Sequence, residues 1–444
     1  MVQIYKAPKK PKSKPVGKVS LVIDDMEHGG LGVCRSHQPV VFVEGALPGE
    51  QVDVRITEQK SKVWHGIATK VQKASNERIV PFCPHINDCG GCQNQHIGQA
   101  DLLRHKTKAV GELLSRLGHI DTLPWQAALM GADKGYRRKA RLAIDAQRDN
   151  DVRIGFRAKA SDKVVGIHEC QVLTSALQAL LPALLPLLKR LKGVKHLGHI
   201  SLFDADNLLQ LCLRVTRPLS EADRNALVDF ADKHGCQLLL ENNQGQFEHL
   251  AGPQGEASYA PMPDISLKVG TNDFVQVNGP LNQAMVAQAL SWLDIQPGEK
   301  VLDFFCGVGN FSLPMAKQGA QVSGFEGLKP MVERALGNAQ AHGLDAQFKQ
   351  VDLSDSKQLD ALIKSIGQVD KILLDPARAG AQALMPYLPR LAPKQVLYVS
   401  CNPATFARDA GLLVEKGWRL DRIGLMDMFP GTAHTELMAL LVPK

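Results

Sequence analysis

The sequence predicts an α/β chain in three parts: a small N-terminal β-barrel, a central α+β region, and a C-terminal domain on a mainly parallel, doubly wound sheet. Three observations predict it. Residues 17 to 70 read as short alternating runs broken by glycines. Three cysteines, Cys83, Cys89 and Cys92, fall within ten residues. After residue 280, apolar strand-like runs alternate with helical patterns, as strands joined by crossover helices require.

The chain has 444 residues, 44% hydrophobic and 22% charged, an ordinary globular composition for roughly two to four domains. No run approaches the length of a membrane span, and MVQIYKAPKKPKSKP has no apolar core behind its lysines, so the expected location is the cytoplasm, with no membrane partner. The net charge of +7 is concentrated at the start: the first eighteen residues hold six lysines and no acid. With Pro8, Pro11 and Pro15 interspersed, this arm cannot be helical. Lys9, Lys10 and Lys12 are candidates for touching phosphates, and a solubilising terminus is the plainer alternative.

Taken in order, GKVSLVID, VVFVEG, QVDVRI and HGIATKVQK are the barrel strands, with Val52, Val54 and Ile56 alternating on a half-buried face. About fifty-five residues of this kind suit a barrel of the oligonucleotide-binding type, though an SH3-like barrel would look the same. Boundaries fall at 12–72 for the barrel, 73–270 for the central part and 271–444 for the C-terminal domain. A helix is expected over 97–118, carried by Leu102, Leu103, Val110, Leu113, Leu114 and Leu117, and the stretch 97–125 can pack with either of the later domains.

In the central part YRRKARLAIDA and VRIGFRAKA read as hairpin strands, SALQALLPALLPLLKRLKG as an apolar helix interrupted by prolines, and LLQLCLRVT and CQLLLEN as further strands. Tyr136, Arg137, Arg138, Lys139 and Arg157 are candidate RNA contacts, an aromatic to stack and cations for phosphates; solvated sheet faces carry such charges too. Cys83, Cys89 and Cys92 offer three soft ligands on one loop, with Cys170 the best candidate for a fourth ahead of His85, His96 and His168. Spacing leaves zinc and an iron–sulfur cluster equally open.

The C-terminal strands are expected at VLDFFCG, QVSGFEG, FKQVD, KILLDP, QVLYVSC and TELMALLV, and ligands on such a sheet belong at the strands' carboxyl ends. Gly307, Gly309 and Asn310 follow the first strand and Glu326 closes the second, an arrangement for a tight turn beside a ligand and an acid for a ribose diol. The glycine run is not G-x-G-x-x-G, which favours S-adenosylmethionine over a dinucleotide. Asp375 and Cys401 close the fourth and fifth strands. A cysteine at a strand tip is a reasonable nucleophile, while many free cysteines are simply buried small hydrophobes.

Together VFVEGALPGE, CPHINDCGGCQNQH, YRRKAR, DFVQVN, LDFFCGVGNFSLP, LLDPARAG, YVSCNPATFARD and DMFPGTAHTE resemble the uracil-C5 RNA methyltransferases over nearly the whole chain. That resemblance implies a TRAM barrel, a central α+β domain whose Cys83, Cys89, Cys92 and Cys170 hold a [4Fe-4S] cluster of structural or RNA-holding role, and a Rossmann-like methyltransferase domain. It implies Cys401 as nucleophile and Glu436 as general base, with Asp375 and Gln276 at the substrate pyrimidine. Cofactor contacts would come from Gln276, Phe305, Gly307 and Gly309, and from Asn310, Glu326, Asp352 and Asp375. Possession of both barrel and cysteine set points within the family to 23S ribosomal RNA as partner, and no obligate protein partner is evident.

Overall fold

The computed structural model describes residues 17–146 and 151–444; Lys9, Lys10 and Lys12 lie outside the described residues. The chain divides into two compact units, one of Met1–Phe82, Gln93–Ala109 and Gly431–Ala433, the other of Cys83–Cys92, Val110–Pro430 and His434–Lys444.

The first unit is built on β1 (Lys18–Val22), β2 (Asp25–Met26), β3 (Gly32–Cys34), β4 (Val40–Glu44), β5 (Gln51–Gln59) and β6 (Val63–Lys73), in the order β1-β5-β6-β4-β3-β2. All pairs are antiparallel except β4 with β6. The alternation of Val52, Val54 and Ile56 is realised as core, joined by Leu21, Ile23, Val41 and Val43. Gly66 is required on β6, because a Cβ there would lie 2.4 Å from the Val54 Cγ1. One buried carboxylate organises the turn after β4. Glu50 is fully buried and accepts Arg78 Nε at 2.6 Å, Arg78 Nη2 at 2.7 Å and the Leu47 N–H at 2.8 Å. Burial alone would raise this carboxyl, but the Arg78 hydrogen bonds outweigh it and hold Glu50 below its usual range. The first half of α1 (Gln99–Gly118) belongs to this unit and packs Leu102 against Met26, Leu47 and Ile97.

The second unit begins with a seven-stranded sheet of β7 (Lys139–Asp145), β8 (Arg153–Arg157), β9 (Val164–Gly166), β10 (Leu197–Asp204), β11 (Leu209–Val215), β12 (Gln237–Glu241) and β13 (Phe247–Ala251). Helices α2 (Ser175–Arg190) and α3 (Glu221–His234) share its apolar core. Against expectation, α2 runs unbroken through Pro182 and Pro186. Four residues apart, both prolines lie on the exposed face, while Leu177, Leu180, Leu181, Leu184, Leu187 and Leu188 bury the other. Tertiary packing of six leucines outweighs the two missing backbone bonds.

The cysteines require a correction. Among the described residues no group of three or more His, Cys, Asp or Glu side chains is placed to hold a metal ion. The residues therefore do not fit the expected [4Fe-4S] cluster on Cys83, Cys89, Cys92 and Cys170, nor zinc, and the central region is an α+β domain without the iron–sulfur character the sequence suggested. The physical reason is that spacing sets only how far apart ligands lie along the chain, not whether their side chains surround one point. Burial pushes Cys170 up to about 12, with Cys92, Cys83 and Cys89 adding to the rise, and it also raises Cys89, whose Sγ accepts the Gly91 N–H at 3.4 Å.

The hairpin β14 (Ala257–Met262) and β15 (Ile265–Val269) leads to α4 (Gly279–Leu293) and the second seven-stranded sheet. Its elements are β16 (Lys300–Phe304), α5 (Ser312–Lys317), β17 (Gln321–Glu326), α6 (Lys329–Ala341), β18 (Ala346–Gln350), α7 (Ser356–Ile366), β19 (Lys371–Leu374), β20 (Gln395–Ser400), α8 (Pro403–Val414), β21 (Trp418–Met426) and β22 (Glu436–Pro443). The strand order is β18-β17-β16-β19-β20-β22-β21, with the first five parallel and β22 antiparallel to both neighbours. Every residue of β19 is buried, which is why KILL reads as a continuous apolar run. Strand β21 is an addition to the expected set: WRLDRIGLM interleaves charges in its first half and loses the apolar signal. Trp125 and Leu129 bridge to Ile423 and Met426 along it. Among the described residues no helix is long and apolar enough to cross a membrane.

The Glu50 cluster gives a stability prediction. Arg78→Ala leaves a buried carboxylate without its cation and should destabilise the barrel by roughly 3–5 kcal/mol, read as faster amide exchange in β5 and β6. Because the partner depresses the Glu50 pKa, its stabilisation is complete above the unfolded value of 4.5 and is lost as pH falls through the folded value. The gap between wild type and variant should therefore narrow in acid; a gap constant from pH 7 to pH 3 would refute the assignment.

Candidate active site

The carboxyl ends of the parallel strands open into a cavity of about 510 Å³. Register dictates what reaches it. Phe304 lies opposite Phe325 and Leu374, so the next residues out, Phe305, Glu326 and Asp375, emerge in one row. Ser400 of β20 lies opposite Leu437 of antiparallel β22, so Cys401 and Glu436 come next to each other at the same edge. All five line the cavity, with Gln276, Gly307, Asn310 and Arg378.

The loop after β16 turns through three left-handed residues, Phe305 at φ 68°, Gly307 at 57° and Gly309 at 101°. Glycine adopts this freely, whereas Phe305 stores strain of about 1–3 kcal/mol that the surrounding fold must hold. The loop is tied to β17 by the Gly307 N–H donating to Glu326 Oε2 at 3.3 Å, while Glu326 Oε1 accepts the Leu328 N–H at 3.0 Å. Asn310 is fixed on the other side. Its Oδ1 accepts from Asn282 Nδ2 at 2.9 Å and from the Tyr259 hydroxyl at 3.1 Å, and its Nδ2 donates to Asn282 Oδ1 at 3.1 Å.

The electrostatics are those of a crowded acidic site. Burial pushes Asp375 up to about 7. Burial also raises the Cys401 thiol, with Glu436 and Asp375 adding to the rise and Arg378 opposing it. Beneath the loop, fully buried Asp303 is pushed up to about 8 by burial, its Oδ2 bonded to the Ser312 hydroxyl and its Oδ1 without a partner. Gln276 is buried in the wall and its Oε1 likewise has no partner.

The expected residues thus converge, with two exceptions. Gly309 is not among the lining residues, and Asp352, exposed after β18 and also outside the lining, bonds to Ser354. The basic strand residues are elsewhere and internally engaged. Tyr136 is buried at 4% exposure; Arg138 pairs with Asp206, and both line a separate cavity of about 340 Å³. Arg137 donates to the Lys139 carbonyl, Lys139 to the carbonyls of Thr271 and Asp273, and Arg157 to that of Asp162. Sequence reasoning missed Tyr259, Phe274, Asn282 and Arg378. Arg378 alone carried a signal, standing beside Asp375 in a strand-end turn; the others depend on contacts between distant segments.

Comparisons with known proteins agree with this geometry. The profile described as tRNA (Uracil-5-)-methyltransferase matches residues 100–444, and the TRAM domain profile matches 16–69. A protein of Shewanella amazonensis named 23S rRNA (uracil(1939)-C(5))-methyltransferase RlmD is 44% identical over 442 residues, 99% of each chain. Its counterpart from Shewanella halifaxensis is 43% identical over 448 residues, covering both chains fully. In fold, the Pyrococcus abyssi tRNA (uracil-54, C5)-methyltransferase, solved with S-adenosyl-L-homocysteine, superposes with a TM-score of 0.73 at 24% identity, over 96% of this chain and 100% of that one. A family match over more than three quarters of the sequence, and relatives this similar end to end, establish that the chain belongs to the uracil-C5 RNA methyltransferases.

Proposed function

We propose that this chain transfers a methyl group from S-adenosylmethionine to carbon 5 of a uridine in 23S ribosomal RNA, the uridine that its relatives' names number 1939, through a transient bond between Cys401 and carbon 6. The observation that carries this reading is the apposition of Cys401 and Glu436 across the β20–β22 register, inside a cavity that also holds Asp375 and Gln276. The lining fits the cofactor: Glu326 suits a ribose diol, Asn310 offers an amide donor, and the opening is ample.

Carbon 5 of uracil is too weak a nucleophile to be methylated directly. Addition of the Cys401 thiolate at carbon 6 forms a carbon–sulfur bond and moves an electron pair into an enolate spanning carbon 5, carbon 4 and oxygen 4. When bound, S-adenosylmethionine supplies an electrophilic methyl on a sulfonium leaving group. Carbon 5 takes that methyl and becomes tetrahedral, still carrying its hydrogen. Glu436 removes this proton, the electron pair restores the double bond, and the Cys401 thiolate departs. Asp375 and Gln276 orient the ring, whose N3–H and carbonyls suit the Gln276 Oε1 acceptor and a carboxyl that titrates near neutrality. The uridine must leave its stack to reach the cavity.

In this reading 12–72 is an RNA-binding barrel, 73–270 a central α+β domain and 271–444 the methyltransferase domain. Lys9, Lys10 and Lys12 meet phosphates, as do the guanidinium N–H groups of Arg137 and Arg157 beyond those bonded to the Lys139 and Asp162 carbonyls, and the work is done in the cytoplasm, where ribosomal RNA is matured.

The two key residues separate by phenotype. Cys401→Ala should abolish transfer of labelled methyl from S-adenosylmethionine to 23S RNA and form no covalent complex. Glu436→Gln should slow turnover by about 10²–10⁴ while accumulating a methylated RNA–protein adduct stable to denaturing electrophoresis. An active Cys401→Ala enzyme would sink the mechanism, and methylation of transfer RNA alone would sink only the substrate.

The raised Cys401 thiol sets a pH dependence. The thiolate is the attacking form and the thiol dominates at neutrality, so single-turnover adduct formation should climb from pH 6 to 8, by less than about tenfold per unit because Asp375 ionises within that window and opposes the thiolate. A flat profile across that range would show that Cys401 is already ionised and that neighbouring charge has been misjudged.

A further inference from the structure

The cavity's polar lining is unbalanced. Glu326, Asp375 and Glu436 are acids, the Oε1 of Gln276 is buried without a donor, and the Gly307 N–H is spent on Glu326. A ligand carboxylate entering here finds few donors, Arg378 at the rim and the amide of Asn310. Yet a cofactor with an amino-acid tail brings such a carboxylate.

Asn310 would be a poor specialist if its amide were free, because a rotation of the group exchanges its oxygen for its nitrogen. Here it is not free. Asn282, on the first turn of α4 and 1% exposed, makes two reciprocal amide bonds with it, and Tyr259, 2% exposed, donates its hydroxyl to the same oxygen. The Asn310 oxygen is therefore fully occupied and one amide hydrogen remains for the cavity. Reversing the Asn310 amide alone would break this set, and reversing both amides together would keep the reciprocal pair but strand the proton of the buried Tyr259 hydroxyl, whose acceptor is the Asn310 oxygen.

We propose that Asn282, assisted by Tyr259, is a positioning residue that locks Asn310 as a one-way hydrogen-bond donor for the carboxylate of the cofactor's amino-acid tail. The inference rests on the reading of this cavity as the S-adenosylmethionine site. It predicts discrimination between an oxygen acceptor and an amine or nothing at that position, since the locked group cannot accept in return.

The test is calorimetric binding to the full chain of two ligands, S-adenosylhomocysteine and its decarboxylated analogue, which lacks only the carboxylate. Asn282→Ala should weaken S-adenosylhomocysteine about tenfold, the scale of one hydrogen bond to a charged group, and change the analogue by less than about twofold. Tyr259→Phe, which removes one hydroxyl, should give the same pattern at smaller size and serves if Asn282→Ala does not fold. Asn282→Asp should not rescue, because it loses the donor to the Asn310 oxygen. Equal weakening of both ligands would assign Asn282 a merely structural role and overturn the proposal, as would no weakening of either. Failure of the wild-type chain to bind S-adenosylhomocysteine would overturn the cofactor reading itself.

Discussion

The pairing of β20 with β22 is the constraint on which the site depends. Two strands distant in sequence run antiparallel, with Ser400 opposite Leu437, and that register alone brings Cys401 and Glu436 to one edge. A slip of one residue would send their side chains to opposite faces of the sheet. The pairing is secured from below: Val396, Leu397 and Val399 on one strand, and Met438, Ala439 and Leu440 on the other, are at most 2% exposed. Chemistry at the rim is thus held by apolar burial in the interior, the usual division of labour in a doubly wound sheet.

That dependence explains which parts of the structure were legible in the sequence. Strand tips can be read because a run such as KILLD or YVSC announces both the strand and the residue it delivers, so Asp375 and Cys401 were found from period and position. Val52, Val54 and Ile56 gave the barrel in the same way, since a half-buried strand writes its geometry into alternate residues. Family motifs then supplied Glu436 and Gln276, which nothing local identifies.

What escaped was set by distant contacts. Asn282 lies in an ordinary helical pattern and Tyr259 in a hairpin, and only folding brings them to Asn310. Strand β21 was lost because Arg419, Asp421 and Arg422 interrupt its apolar run. The prolines of α2 misled for the opposite reason, a strong local signal overridden by six packed leucines. The cysteines are the instructive failure. Three thiols within ten residues satisfied a spacing argument, but spacing constrains only how far apart ligands are along the chain. Whether they surround one point is a property of the fold, and among the described residues no such group is placed to hold a metal ion.

Burial also resolves an apparent contradiction in the catalytic cavity. A nucleophilic thiolate and an RNA polyanion must both approach a region whose sequence contributes Asp303, Glu326, Asp375 and Glu436. If all four were ionised, each would oppose the thiolate and the incoming phosphates. Desolvation removes part of that charge: Asp303 is raised to about 8 and Asp375 to about 7, so near neutrality the first is mostly neutral and the second divided between its two forms. The remaining acids have assigned partners or duties, Glu326 held by the N–H groups of Gly307 and Leu328, and Glu436 beside Cys401 where a proton acceptor is needed. The same low-polarity surroundings that hold Cys401 as a thiol also keep Asp375 from carrying a full charge against it. A uracil that enters displaces water from both groups at once, and the balance between them, rather than either pKa alone, decides how readily the nucleophile forms.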